Sequence, residues 1–339
     1  MKTYYSGQQV LHAPERELQN GEMVPYAEQP ARVDAILSAL GVTTPAADFG
    51  LAPILDVHDK TYVEVLRSAY RDWTAAGRPG DAFPYVFPVT GRRPLSLDRI
   101  DARLGQHAYD CGTPIAEHTW DAAYWNAQTA LTGLSDVMDN KASAFALCRP
   151  PGHHAGADYM GGYCYLNNVA ISAEAALKRG AARVAVLDVD YHHGNGTQDI
   201  FYARGDVLTV SIHADPRTDY PFYWGHADET GSGAGSGSNL NLPLPRGTDW
   251  THYVDALDRA CDAVAKFQPD LLIVPFGADT FEGDPISYFA LQTADYRRMA
   301  ERISELDLPS LICMEGGYAI EALGANVERF LSGFDAQNG

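Results

Sequence analysis

A-V-L-D-V-D-Y-H-H-G-N-G-T-Q-D, residues Ala185 to Asp199, begins as a Val-rich apolar run of the kind that forms a strand buried in a parallel sheet. It ends in alternating polar residues, Asp188, Asp190 and His192, and breaks at Gly194. Strand side chains alternate with period two, so these three are expected on one face at the strand's C-terminal end. Open α/β sheets bind ligands outside that end. A carboxylate and an imidazole at this spacing suit half of a metal site, and equally a buried ion pair with a titrating histidine. His193 has the opposite parity and is expected to face away.

Similar apolar runs recur at Ala144–Leu147, Val207–His213, Leu271–Phe276 and Ser310–Met314, and M-K-T-Y-Y-S reads as a first strand. Helical spacing separates them. Val33, Ile36, Leu37 and Leu40 share a face between Pro30 and the stop at Gly41, and Tyr62, Val65, Leu66, Ala69 and Trp73 do so between His58 and Ala76. Further helices are expected over Thr119–Met138, with Thr119 as cap, over Asn167–Lys178, over 249–267 and 293–305, and from Ile320 onward. Alternating strands and helices imply a mainly parallel sheet covered on both faces. With no repeat and no second composition regime, the 339 residues read as one α/β domain spanning 1–339 rather than two.

Residues 77–105 break the pattern, with Gly77, Pro79, Gly80, Pro84, Pro88, Gly91 and Pro94 around Phe83, Tyr85 and Phe87. So aromatic a loop is expected to pack on another surface, such as a second subunit. The Gly/Ser run Gly231–Ser238 is too short for a domain linker and reads as a flexible rim loop.

Composition narrows the function. No apolar run approaches the roughly 20 residues of a membrane span, and the N-terminus lacks a secretory h-region, so a cytoplasmic location is expected. A net charge of -19 argues against nucleic acid as partner and favours a cationic substrate, although acidic balance also simply keeps a protein in solution. Five cysteines without a C-x-x-C pair read as reduced thiols, with Cys164 left open because it lies in a Gly-rich stretch near the site.

Four polar clusters follow predicted strands: His153 and His154 after Leu147; Asp188, Asp190 and His192 after Val186; Asp279 after Phe276; and Tyr318 after Cys313. In a parallel sheet all four emerge at one edge. Asp190, His192 and Asp279 would give an O, N, O ligand set with an open fourth position, the arrangement of catalytic zinc, which Fe(II), Co(II) or Mn(II) also tolerate. His153 or His154 beside it suits a general base, with Asp188 and Asn195 available as orienting partners; alternatively one histidine ligates metal and the other caps a loop. Tyr318 after Gly316 and Gly317 suits an oxyanion donor, or a core tyrosine.

R-P-P-G-H-H, G-G-Y-C-Y-L-N-N, D-V-D-Y-H-H-G-N-G-T-Q-D-I-F-Y, S-I-H, G-A-D-T-F-E-G-D-P and E-G-G-Y together resemble the arginase-deacetylase superfamily, and within it the acetylpolyamine amidohydrolases, relatives of histone deacetylases. The resemblance spans nearly the whole chain. It implies one arginase-like domain with an eight-stranded parallel sheet and helices on both faces, and a single-zinc amidohydrolase that releases acetate from acetylated amines. By position it implies Asp190, His192 and Asp279 as zinc ligands, with Fe2+ or Co2+ possible. His154 becomes the general base and acid, His153 its partner backed by Asp188, and Tyr318 the carbonyl-polarising group. Gly162, Tyr163 and Tyr220 fall where the family lines a narrow tunnel. A structural K+ is implied at Asp188, Ser211 and the backbone of Asp190, His192 and Ile212. The insertion at 77–105 resembles the segment through which such enzymes form homodimers.

Gly194 and Phe281 stand where arginases carry ligands to a second metal, which points to one metal. Asn195 faces His154 where some branches carry Asp, and Pro275 stands where relatives have Ser. One mouth acid of the family corresponds to Gly112, while Glu17 and Asp101 fall at acidic positions, so short acetylated diamines such as acetylputrescine or acetylcadaverine are as well matched as long polyamines. A protein acetyl-lysine deacetylase is the alternative enzyme, and a silent metal-dependent sensor the alternative outside enzymes.

Overall fold

The computed structural model describes residues 1–89, 91 and 95–335, so Pro94 of the insertion lies outside the described residues. The strands, in chain order, are β1 (Lys2–Tyr5), β2 (Arg16–Gln19), β3 (Glu22–Pro25), β4 (Thr44–Pro45), β5 (Ala144–Ala146), β6 (Val184–Asp188), β7 (Val207–Ala214), β8 (Asn239–Leu244), β9 (Leu271–Phe276) and β10 (Ser310–Met314). Eight form one sheet in the order β4-β1-β5-β10-β9-β6-β7-β8, and every pairing in it is parallel. β2 and β3 make a separate antiparallel hairpin. The last strand, β10, is inserted centrally between β5 and β9.

Every residue of β5, β6, β7, β9 and β10 is buried, as expected of a sheet covered on both faces. Helices Thr119–Asn140 and Asn168–Lys178 pack together on β1, β5, β10, β9 and β6. Trp250–Phe267 packs on β6, β7 and β8 and continues through Thr293–Ser304 and Ile320–Asp335 to Ala31–Leu40. The local causes are plain in Trp250–Phe267. Its buried Tyr253, Ala256, Leu257, Ala260, Cys261 and Val264 recur at steps of three and four residues, and Asp249 caps it by accepting from the His252 N–H.

Several sequence expectations move. The strand of the opening segment ends at Asp188, so Asp190 and His192 lie on the turn beyond it and not on a continued strand face. Thr119 is the first helical residue, and its hydroxyl meets His12 Nδ1 at 2.9 Å and the Ala116 N–H at 2.8 Å. The Gly/Ser run does not edge the pocket. It packs on Tyr202 and Arg204 and leads into β8 at the N-terminal end of β7. The 77–105 insertion contains a helix from Ile100 to Gln106 and is tied at its base by the Ala82–Ile115 bridge.

A buried ionic cluster anchors the N-terminal segment to the sheet. Glu28 accepts from Arg32 at 2.6 Å and Arg149 at 2.8 Å, and both guanidiniums also grip backbone carbonyls, Arg149 those of Gln9 and His12 and Arg32 those of Glu315 and Gly317. All three side chains are at most 2% exposed. Removing the carboxylate would leave two buried cations without their counter-ion, so Glu28→Ala is expected to lower stability by about 3–5 kcal/mol. Urea unfolding at neutral pH measures it.

Candidate active site

Five adjacent strands, β5, β10, β9, β6 and β7, deliver the site from their C-terminal ends. Asp190 and His192 follow β6 and Asp279 follows β9, and one ligand atom from each lies within 4.8 Å of the other two. His192 Nδ1 is 3.0 Å from Asp279 Oδ2 and 3.4 Å from Asp190 Oδ1. Backbone donors orient both carboxylates: Gly316 N–H reaches Asp190 Oδ2 at 2.8 Å and Tyr191 N–H reaches Asp279 Oδ1 at 3.0 Å. The glycines are required here. A Cβ at Gly277 would come within 2.0 Å of Asp190 Oδ2, and one at Gly316 within 2.3 Å of Asp279 Oδ2. Two buried carboxylates and one partly exposed imidazole, converging, fit a divalent cation in composition and spacing. Burial alone would depress His192, but its bonds to Asp190 and Asp279 outweigh that and hold the ring up to about 10.

Gly194 is close-packed as well: a Cβ there would lie 2.4 Å from Asp188 Oδ2. His193 points away from the ligand set and packs on His213, with ring centroids 4.5 Å apart.

His153 and His154 stand side by side, ring centroids 4.1 Å apart, in unlike environments. His153 Nδ1 meets Asp188 Oδ2 at 2.9 Å; burial opposes its charge, but Asp188 and Asp190 prevail and raise it to about 10. His154 Nδ1 meets Asn195 Oδ1 at 2.7 Å, and burial, then the charge of His153, push it well below the usual imidazole range. Tyr109 also donates to Asn195 Oδ1, at 3.3 Å, so that oxygen is the acceptor and His154 Nδ1 carries the proton. The Nε2 of a neutral His154 is therefore left as an acceptor.

Tyr318 is buried, its ring 5.7 Å from that of Tyr163, with the Arg32 guanidinium 5.0 Å from its centroid. Its backbone N–H donates to Asp284 Oδ2 at 2.7 Å. His154, His192 and Tyr318 open into a pocket of about 330 Å³ that Gly162, Tyr163, Tyr220, Glu17 and Asp110 also line. Gly162, at φ 55°, lies against the His154 ring where a Cβ would come within 2.2 Å.

The histone deacetylase domain matches residues 26–334 of the chain. The chain belongs to the histone deacetylase family. As a member it is a deacetylase, a hydrolase of a metal-dependent family. It is 49% identical to acetylpolyamine amidohydrolase 2 of Pseudomonas aeruginosa over 99% of both chains. It is 42% identical to the acetylpolyamine amidohydrolase of Mycoplana ramosa, over 98% of this chain and 99% of that one. A crystal structure of acetylpolyamine aminohydrolase from Burkholderia pseudomallei matches with a TM-score of 0.95 at 43% identity, covering 99% of each chain.

Against this deacetylase geometry one expected acid is displaced. Asp101 does not line the pocket; it is buried between Arg78 and Arg99, the latter at 2.7 Å, and fastens the base of the insertion. Asp110 lines the pocket instead, taking Tyr220 Oη–H and Gly162 N–H, both at 2.7 Å. Nothing in Y-D-C marks Asp110 in the sequence, because its partners come from two other loops. Asp284, the second aspartate of G-A-D-T-F-E-G-D-P, carries a visible sequence signal, but its role as a backbone clamp on Tyr318 is not among the sequence expectations. Asp188 and Ser211 are register partners across β6 and β7 and line one small pocket, with Ile212 next along β7.

Proposed function

We propose that the protein removes acetyl groups from small N-acetylated amines, acetylpolyamines or acetylated diamines such as acetylputrescine and acetylcadaverine, releasing acetate. One observation carries this reading: His192 of the ligand set, His154 and Tyr318 open into a single pocket that the acids Glu17 and Asp110 also line. Acids in that pocket suit a substrate with a protonated amine at the end opposite the amide.

Zinc is the cation we assign to Asp190, His192 and Asp279, with Fe2+ or Co2+ as alternatives; bound there, it supplies Lewis acidity for amide hydrolysis. His154 accepts a proton at Nε2 as water adds and returns it to the leaving amine. Asn195 fixes its tautomer. His153, held charged by Asp188, keeps His154 neutral and ready to accept. The Tyr318 phenol donates to the amide oxygen as negative charge develops there. Gly162, Tyr163 and Tyr220 confine the chain of the amine. A structural K+ at Asp188, Ser211 and the carbonyls of Asp190, His192 and Ile212 would brace the turn that carries two of the ligands. Tyr85, Val86, Phe87 and Val89 of the insertion are 54%, 54%, 37% and 71% exposed, an apolar edge that supports a homodimer. We place the enzyme in the cytoplasm, and among the described residues no helix is long and apolar enough to cross a membrane.

A panel of N-acetylated diamines, polyamines and an acetyl-lysine peptide, assayed with zinc-loaded protein, tests the proposal. Highest kcat/KM on a small amine is expected, and peptide turnover above that of every small amine would sink it. Burial, countered by Tyr163 and the Ala27 backbone and reinforced by Asp110 and Glu28, pushes Glu17 up to about 7. Its negative charge is therefore present above that pH and is lost below it. Each pH unit below this point thins the anion about tenfold, so KM for a cationic acetylated diamine should climb on acidification. A neutral acetylated alkylamine, and the Glu17→Gln variant, should show a flat KM over the same range.

A further inference from the structure

Glu315 is fully buried, ligates nothing in the site and has a single set of partners. Its Oε2 accepts the N–H of Gly152 at 2.6 Å and of His153 at 3.1 Å, two successive backbone donors on one oxygen. Its own backbone is fixed on both sides: its N–H reaches Phe276 O at 2.8 Å and its carbonyl accepts from Arg32 at 2.5 Å. Glu315 stands three residues before Tyr318, at the end of β10, and the histidine loop leaves the neighbouring strand, β5. The carboxylate is thus a cross-brace between the segment that carries the phenol and the segment that carries the imidazoles. Gly152 itself is closely packed, since a Cβ there would come within 2.8 Å of the Asn168 N and the Leu166 O.

We propose that Glu315 is a positioning residue that holds the His153–His154 pair in register with Tyr318 by accepting these two backbone hydrogen bonds. The inference rests on the amide-hydrolysis reading above. It assigns the side chain no contact with substrate and no part in proton transfer. Its effect is on geometry, and a displacement of about 1 Å in a catalytic group costs on the order of 10²-fold in rate. An acceptor at this point is what matters, so Gln, which keeps a carbonyl oxygen, should substitute for Glu where Ala cannot.

The test compares Glu315→Ala and Glu315→Gln with wild type by steady-state kinetics on an acetylated diamine, zinc content, and hydrogen–deuterium exchange of the peptide spanning residues 149–154. Expected are a kcat for Glu315→Ala lowered about 10²-fold with KM and zinc content near wild type, faster exchange at Gly152 and His153, and recovery of both rate and protection in Glu315→Gln. A Glu315→Ala enzyme that turns over like wild type overturns the inference, as does a Glu315→Gln enzyme as impaired as Glu315→Ala. If Glu315→Ala does not fold, Glu315→Gln decides: wild-type protection at both amides with activity retained supports the brace, and lost protection with activity retained refutes it. Should wild type hydrolyse no acetylated amine, the functional reading fails, while the exchange measurement still tests the brace itself.

Discussion

Tyr318→Phe is expected to lower kcat by about 10²–10³-fold, the usual cost of one lost oxyanion donor, with KM, zinc content and fold nearly unchanged. The substitution removes one hydroxyl and leaves the surroundings intact. The ring keeps its contact with Tyr163 and with Arg32, and the backbone N–H keeps Asp284. A fall in kcat alone would show that the phenol acts on the reacting amide and not on binding. Steady-state kinetics on the best substrate of the panel, with metal content measured in parallel, is sufficient. Unchanged turnover would return Tyr318 to the role of a core tyrosine.

His154→Ala should cost more than any other single change outside the ligand set. General acid–base catalysis contributes about 10²–10⁴-fold, and one imidazole is assigned both halves of it here. Because His154 is not among the three converging ligands, bound zinc should stay at one per chain. The space left beside Gly162 opens into the pocket, so added imidazole should restore part of the rate. Loss of zinc along with activity would instead favour the reading in which one histidine of the pair is a metal ligand. The Asn195 oxygen keeps the Tyr109 hydroxyl as a donor, so the variant leaves that acceptor satisfied and should fold.

Much of this was legible in the sequence because it depends on short-range pattern. The ends of β9 and β10 fall at the expected residues, Leu271–Phe276 and Ser310–Met314, since fully buried parallel strands are unbroken apolar runs bounded by polar or glycine residues. The convergence of Asp190, His192 and Asp279 was legible because each follows such a run. What was hidden has a common cause. β8 reads N-L-N-L-P-L, a weak strand signal whose asparagines are spent on Gln198 and Glu229 from other segments. Arg32, Arg149 and Glu28 look like surface charges in sequence, and only tertiary folding makes them one buried cluster. Asp101 and Asp110 are both acids of the same region, and nothing local says that the first is neutralised by arginines while the second faces the pocket.

The position of β10 bears on how the molecule is made. Synthesis proceeds from β1 to β10, yet the last strand lies in the middle of the sheet. Without β10 the pairings of the sheet fall into two separate groups, β4-β1-β5 and β9-β6-β7-β8. The histidine pair belongs to the first and the three ligands to the second. The two halves of the candidate site are therefore joined through β10, and a chain lacking that strand is expected to carry no working site.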